Sequence, residues 1–255
     1  LEFKIPRIKK SSEVLTDVPR GHPDFAPMIG EISKKITNVH WNIDSNDVLS
    51  IKSVHNRELL SRFADYRYKL RSLHGDKVKI DHVFAISNVF NGALMVAKHG
   101  LSCSYMDYSH FTHCLGNYES GAHLFRDAAS AIAFQLRVDP IRTFDLIVFQ
   151  TVISKGRQVT FMEKERSRIF EPQPQFDHHL SNPASYELDS APPADSVIFL
   201  YEYDDECEIE DRPSSVLPIA VVTYRFKNLP SILRMFNKRK TEKSNYDEVP
   251  KRPRI

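Results

Sequence analysis

Thiols are few. The 255-residue chain holds three cysteines, an odd and small number that excludes a disulfide-stapled secreted scaffold and points to a reducing compartment. Glycine is sparse too, at 8 residues, and no dinucleotide-binding fingerprint of the Rossmann type occurs among them. No run of 18 apolar residues exists, so no transmembrane helix is expected. The opening LEFKIPRIKK is charged and lacks an apolar core, so no secretory signal is expected; it also lacks methionine, and a fragment of a longer scaffold is expected. Charge of one sign is missing as well. The net charge of +2 gives no broad positive face of the kind a dedicated duplex-DNA binder presents. What remains is ordinary globular material, 41% hydrophobic and 27% charged. A chain of this length buries roughly 70–75% of its unfolded surface, which supports one large or two small domains without metal or disulfide.

The small net charge conceals an asymmetry. From Lys227 to Ile255 nine basic residues face three acidic ones, a net of +6, which leaves −4 for the body. Lys238, Arg239 and Lys240, then Lys251, Arg252 and Arg254, form two basic clusters at the spacing of a bipartite nuclear-import signal. Such clusters engage an acidic receptor groove or phosphates through Coulomb attraction. A nuclear location is therefore expected, with a solubilising tail as the plainer reading.

Residues 1–27 hold four prolines and scattered charge. Phe3-Lys4-Ile5 fits a short edge strand and the rest reads as an extended linker. Leu59, Phe63, Tyr66, Leu70 and Leu73 recur at spacings of four and three, the stripe of an amphipathic helix with Ser53 as N-cap and Gly75 as stop. His82–Ile86 predicts a buried strand, Val89–His99 a helix packed through Leu94 and Ala97 and ending at Gly100, and Leu101–Cys103 a short strand. Residues 104–121 predict a loop, and the alanine-rich 127–134 a closely packed helix. Beyond it, Leu146–Phe149 and Val159–Phe161 flank the turn dipeptide Lys155-Gly156 and predict a hairpin. A long proline-bearing loop at 165–195 precedes strands at Val197–Tyr201 and Ile219–Phe226, with a solvated acidic hairpin at 202–211 between them. Helices first and antiparallel strands later predict an α+β domain.

The chemistry-bearing clusters mostly dissolve on inspection. Cys103, His110, His113 and Cys114 resemble a zinc set, but adjacent His113 and Cys114 cannot easily aim at one ion and no Cys-x-x-Cys exists, so no metal is expected. Spacing alone cannot bring a Cys and a His together as a nucleophile pair. The GNYESG segment (116–121) lacks the Lys-Ser/Thr of a phosphate-cradling loop, since Ala122 and His123 follow it. The acidic run does not fit calcium-loop spacing. His178-His179 reads as a structural or surface pair.

Five segments, in order, carry a family resemblance: FKIPRI (3–8), VHNRELLSRFADYRYKL (54–70), LGNYESGAHLF (115–125), IFEPQPQFDHHLSNPAS (169–185) and FLYEYDDECEIEDRPSSVLPIAVVTYRF (199–226). Together they resemble the pseudo-PARP domain of TASOR and related testis-expressed proteins. The resemblance implies an α+β, PARP catalytic-domain-like fold, mostly antiparallel sheets with flanking helices, whose active site has decayed. The segments are spread across 1–226, and the domain itself is expected at 28–226, between the extended segment 1–27 and the basic tail 227–255.

Active polymerases of that fold use a His and a Tyr to hold nicotinamide-ribose and a Glu to polarise the ribose. Carried onto this sequence, the His position falls at Ala85 or Ile86, the Tyr position at His123, and the Glu position at Leu217 or Pro218. Alanine, isoleucine, leucine and proline offer no side chain to hold the ribose or to stabilise a developing oxocarbenium ion. The resemblance thus implies degenerate positions at Ile86, His123 and Pro218, no catalysis and no bound NAD. It further implies work within a nuclear scaffold that silences transposons and genes through heterochromatin, with subunits of a chromatin-silencing complex as partners. Two alternatives stand beside it. One is an active mono-ADP-ribosyltransferase using His123 and a displaced carboxylate such as Glu202. The other is an RNA-binding module working through the tail and Tyr105, Tyr108 and Phe111.

Overall fold

The protein is described by a computed structural model, which describes residues 13–23, 25–34, 47–87, 90–102, 115–116, 120–138, 143–159, 170–181 and 197–225. The apolar stripe after Ser53 forms helix α2 (Arg57–His74), with Leu59, Phe63 and Leu70 buried. Leu73, expected on the same face, is exposed. The cap is Asn56 rather than Ser53: its Oδ1 accepts from the N–H groups of Glu58 and Leu59 at 3.1 and 3.2 Å. Its Nδ2 donates to the carbonyls of Ala97 and Lys98, tying α2 to the end of helix α3 (Gly92–His99). Ser53 instead belongs to strand β2 (Val48–Val54). Gly75 ends α2 at φ 57, a conformation glycine adopts without penalty.

The segment read as a linker contributes structure. Strand β1 (Leu15–Asp17) pairs with β2, and helix α1 (Phe25–Lys34) buries Phe25, Met28 and Ile29. The expected strand at 82–86 is β3 (Lys79–Ser87), and the alanine-rich helix is α4 (Ala128–Val138). In α3 the buried positions are Ala93, Val96 and Ala97, with Leu94 half-buried. Leu101 and Ser102 are not in a strand. The remaining strands are β4 (Ala122–Phe125), β5 (Thr143–Ile153), β6 (Gly156–Val159), β7 (His178–Ser181), β8 (Val197–Leu200) and β9 (Val216–Arg225).

Among the described residues these nine strands make one sheet, in the order β1-β2-β9-β5-β3-β4-β8-β7-β6. All neighbours are antiparallel except β6 and β7. The hairpin expected around Lys155-Gly156 does not form. β5 is already paired on both edges, by β3 and β9, so β6 travels to the far edge of the sheet and pairs in parallel with β7. The redirected turn is held by Asp177, whose Oδ2 accepts from the Ser154 and Lys155 N–H groups and the Ser154 hydroxyl at 2.7–3.0 Å. His178 Nδ1 binds the other oxygen of Asp177. Strand β7 thus lies inside the stretch read as a long loop.

Period-two alternation divides the core into two layers. One face carries Phe84, Phe125, Val148, Phe199, Tyr201 and Val222, packed by residues of α1, α2 and α4. The other carries Val83, Ala85, Leu124, Ile147 and Val221, packed by α3. The fold is α+β, as the sequence pattern predicts, although strands and helices interleave along the chain rather than segregating.

Candidate functional site

The sheet has one weak seam. Where β3 meets β4 a single pair is recorded, Phe84 with Phe125, whereas β3 and β5 share nine. Extending the antiparallel register by two residues sets Ile86 and His123 on facing ends of that seam. Both belong to the face with Phe84 and Phe125. Ala85, the neighbouring candidate position, faces the opposite layer against α3.

Pro218 does not join them. It is buried in β9 opposite Phe149, which is itself opposite Val83. The β9 residue in line with Ile86 is Val222, four positions further on, about 13 Å along the strand. The carboxylate offered as a substitute is also occupied. Glu202 Oε2 accepts the Ser215 N–H at 2.9 Å, and the Ser215 carbonyl in turn accepts from Val152 N–H and the Thr151 hydroxyl. Burial raises the Glu202 pKa. Its carboxyl pins the start of β9 to the end of β8 and supplies nothing to the seam.

What lies beside His123 is another side chain. His123 and Phe199 are direct cross-strand partners, with ring centroids 4.8 Å apart. Phe199 is fully buried, and two glycines make room for it. A Cβ on Gly121 would stand 2.6 Å from Phe199 Cζ and 2.6 Å from the Leu200 carbonyl, and a Cβ on Gly116 would overlap the ring edge. Neither glycine is a phosphate cradle; both are the walls of a slot one aromatic ring wide, and Phe199 occupies it.

His179 holds the slot closed. Its Nδ1 lies 2.6 Å from the Leu115 carbonyl, which can only accept, so Nδ1 carries the proton and anchors the residue before Gly116. Its Nε2 then accepts from the Tyr201 hydroxyl at 3.1 Å, and the Gln173 N–H reaches that same hydroxyl oxygen at 3.4 Å. Burial lowers the His179 pKa and pushes the Tyr201 hydroxyl up to about 12, keeping both neutral. His123, 1% exposed, is lowered to about 3, first by burial and then by His179. A general acid or base needs a pKa near the operating pH, and His123 is far from it.

His178-His179 is therefore a structural pair, both members buried, and His179 is the residue that sequence reasoning left without a role at this site. The basic clusters at Lys238–Lys240 and Lys251–Arg254 lie outside the described residues. So do the Cys103–Cys114 cluster, Tyr105, Tyr108, Phe111 and the Phe3-Lys4-Ile5 segment. Among the described residues, no helix is long and apolar enough to cross a membrane. The acidic hairpin is present as expected, closed by a bridge between Tyr203 and Ile209 with Asp205, Glu206 and Glu208 exposed.

The mostly antiparallel sheet with its flanking helices is an α+β fold, and comparison with solved structures makes it PARP-like. The chain is similar to the crystal structure of the TASOR pseudo-PARP domain, with a TM-score of 0.66 over 84% of this chain and 100% of that one, at 19% identity. At that identity the likeness is one of fold, and it bears out the fold implied by the five segments. No family model and no curated protein matches the chain.

Proposed function

We propose that this chain is a catalytically silent PARP-like module that works by contact with other macromolecules within a nuclear silencing scaffold. The observation that supports the first part is the Phe199 ring, which fills the space between Gly116, Gly121 and His123. Here Ile86 is aliphatic, His123 is held neutral by burial, and Pro218 is displaced along the sheet. The scaffold and silencing context is supported by the five-segment resemblance and by the paired basic clusters of the tail.

Isothermal titration of the chain with NAD and with a non-hydrolysable NAD analogue tests the silent-module reading. No heat of binding is expected from either. Saturable binding together with transfer of ADP-ribose to the chain or to an acceptor protein would overturn it, and loss of that labelling in His123→Ala would assign the chemistry to the seam.

A further inference from the structure

Helix α2 has a second face. Its inner side buries Leu59, Phe63 and Leu70, yet Leu60 is 54% exposed and Tyr68 78%. With exposed Ala64 they recur every four residues, so they form one continuous strip pointing away from the sheet. Six large hydrophobic side chains are exposed among the described residues, and α2 carries three of them, counting Leu73 at its last turn. Such a strip on a helix whose core face is already satisfied is unexplained by folding.

The strip is bordered by arginine. At the helical period Arg57, Arg67 and Arg71 fall on or beside it, and no acidic residue does. Glu58 and Asp65 fall on the other shoulder, beside Lys69 and Arg62. That shoulder is engaged: Lys69 pairs with Asp205 at 3.0 Å, and Arg62 donates to the Arg212 carbonyl at 2.6 Å. The side chains of Arg57, Arg67 and Arg71 make no ion pair with a described residue. Arg57 also stands in the first turn, where the helix dipole disfavours a cation. Its placement is unfavourable for the helix itself.

We propose that the outer face of α2 is a docking surface for an acidic amphipathic helix of a partner protein, its apolar side on Leu60, Ala64 and Tyr68 and its carboxylates on Arg57, Arg67 and Arg71. The small Ala64 side chain lets a second helix approach closely between the two larger anchors. Arginine forks pair bidentately with carboxylates, which fixes register as well as charge. A protein helix is favoured over a nucleic acid because Leu60 and Ala64 offer an apolar seam to a helix and nothing to a phosphate. The proposal names a partner class for the scaffold reading, but it stands or falls independently of whether NAD binds.

The test uses the full chain and fluorescence anisotropy of a designed helical peptide with a leucine seam and glutamate flanks. Controls are the same peptide with lysine flanks and a mixed-sequence single-stranded RNA. The glutamate peptide is expected to bind about tenfold or more tighter than the lysine peptide, with a loss of at least about tenfold in Arg67→Glu/Arg71→Glu and a smaller loss in Tyr68→Ala. Tyr68 and Arg71 are exposed and Arg67 is half-buried outside the core, so the variants should keep the wild-type circular dichroism and thermal transition. Equal binding of the two peptides, or no effect of charge reversal, would overturn the proposal. So would RNA binding that charge reversal abolishes while the glutamate peptide fails to bind.

Discussion

The two halves of the sheet are held together by different means. From β2 to β3 the strands are knitted by longer ladders, five pairs between β2 and β9 and nine each between β9 and β5 and between β5 and β3, with aliphatic side chains such as Ile147, Val148, Val221 and Val222 filling both layers. From β4 to β6 every strand is four residues long, and the packing is made by His123, Phe199, His179 and Tyr201. In the first half the ladders fix the register, so apolar residues of similar volume can be exchanged, while the burial of those side chains still carries the stability. The second half depends on particular rings meeting particular glycines. Side-chain packing can therefore fill space in the second half while the ladders of the first keep the fold.

The largest effect should come from the ladder half. Phe149 is fully buried at the bulge opposite Pro218, and Phe149→Ala leaves a cavity in a region with little freedom to collapse. A loss of about 3–5 kcal/mol is expected, read as a lower denaturation midpoint with an unchanged slope in guanidinium chloride. A loss below about 1 kcal/mol would mean that the ladders, and not their side chains, carry that half.

A middle-sized effect should come from the slot. Gly116→Ala forces a methyl into the Phe199 ring edge and is expected to cost about 1–3 kcal/mol. In a Phe199→Ala background the same substitution meets empty space, so its cost should largely disappear, giving a coupling of about 1 kcal/mol or more in a double-mutant cycle. Strict additivity would show that Phe199 does not fill the space between the glycines.

The same contrast explains what the sequence made legible. Local signals were reliable: the α2 stripe, Gly75 and Gly100 as stops, and the strands at β3, β8 and β9 all follow from periodicity and helix-end chemistry. The N-cap of α2 was misplaced because Ser53 and Asn56 are both good caps, and only Asn56 can also reach the carbonyls of α3. The parallel pairing of β6 with β7 was hidden because Lys155-Gly156 looks like a hairpin turn and nothing nearby reveals that β5 has no free edge. Of the site, His123 was visible through the SGAHLF segment. Its neighbours were not, because Gly116 and Phe199 are 83 positions apart and His179 sits in a proline-bearing stretch with no apolar period.

The smallest effect is a pH dependence that comes chiefly from the short half, with His55 just past the end of β2, also lowered by burial, adding to it from the other side. His123 is held neutral, with a folded pKa near 3, and His179 is lowered as well, both chiefly by burial. In the unfolded chain each titrates near its ordinary value of about 6.5. Below that value the unfolded chain takes up protons that the folded chain refuses, so stability must fall as pH drops. Above it both states are neutral and the curve is flat. For His123 the loss between pH 6.5 and 5.5 is roughly 1 kcal/mol, since one unit of pH across a fully developed shift is worth about 1.4 kcal/mol. The depressed Asp177 adds its own loss only at more acid pH, below the ordinary carboxylate range. Chemical denaturation at pH 7.5, 6.5 and 5.5 separates these contributions, because His123→Leu should flatten the upper part of the curve whatever it does to absolute stability. An unchanged slope in that variant would mean His123 takes a proton in the folded state, and the slot beside it is open to water after all.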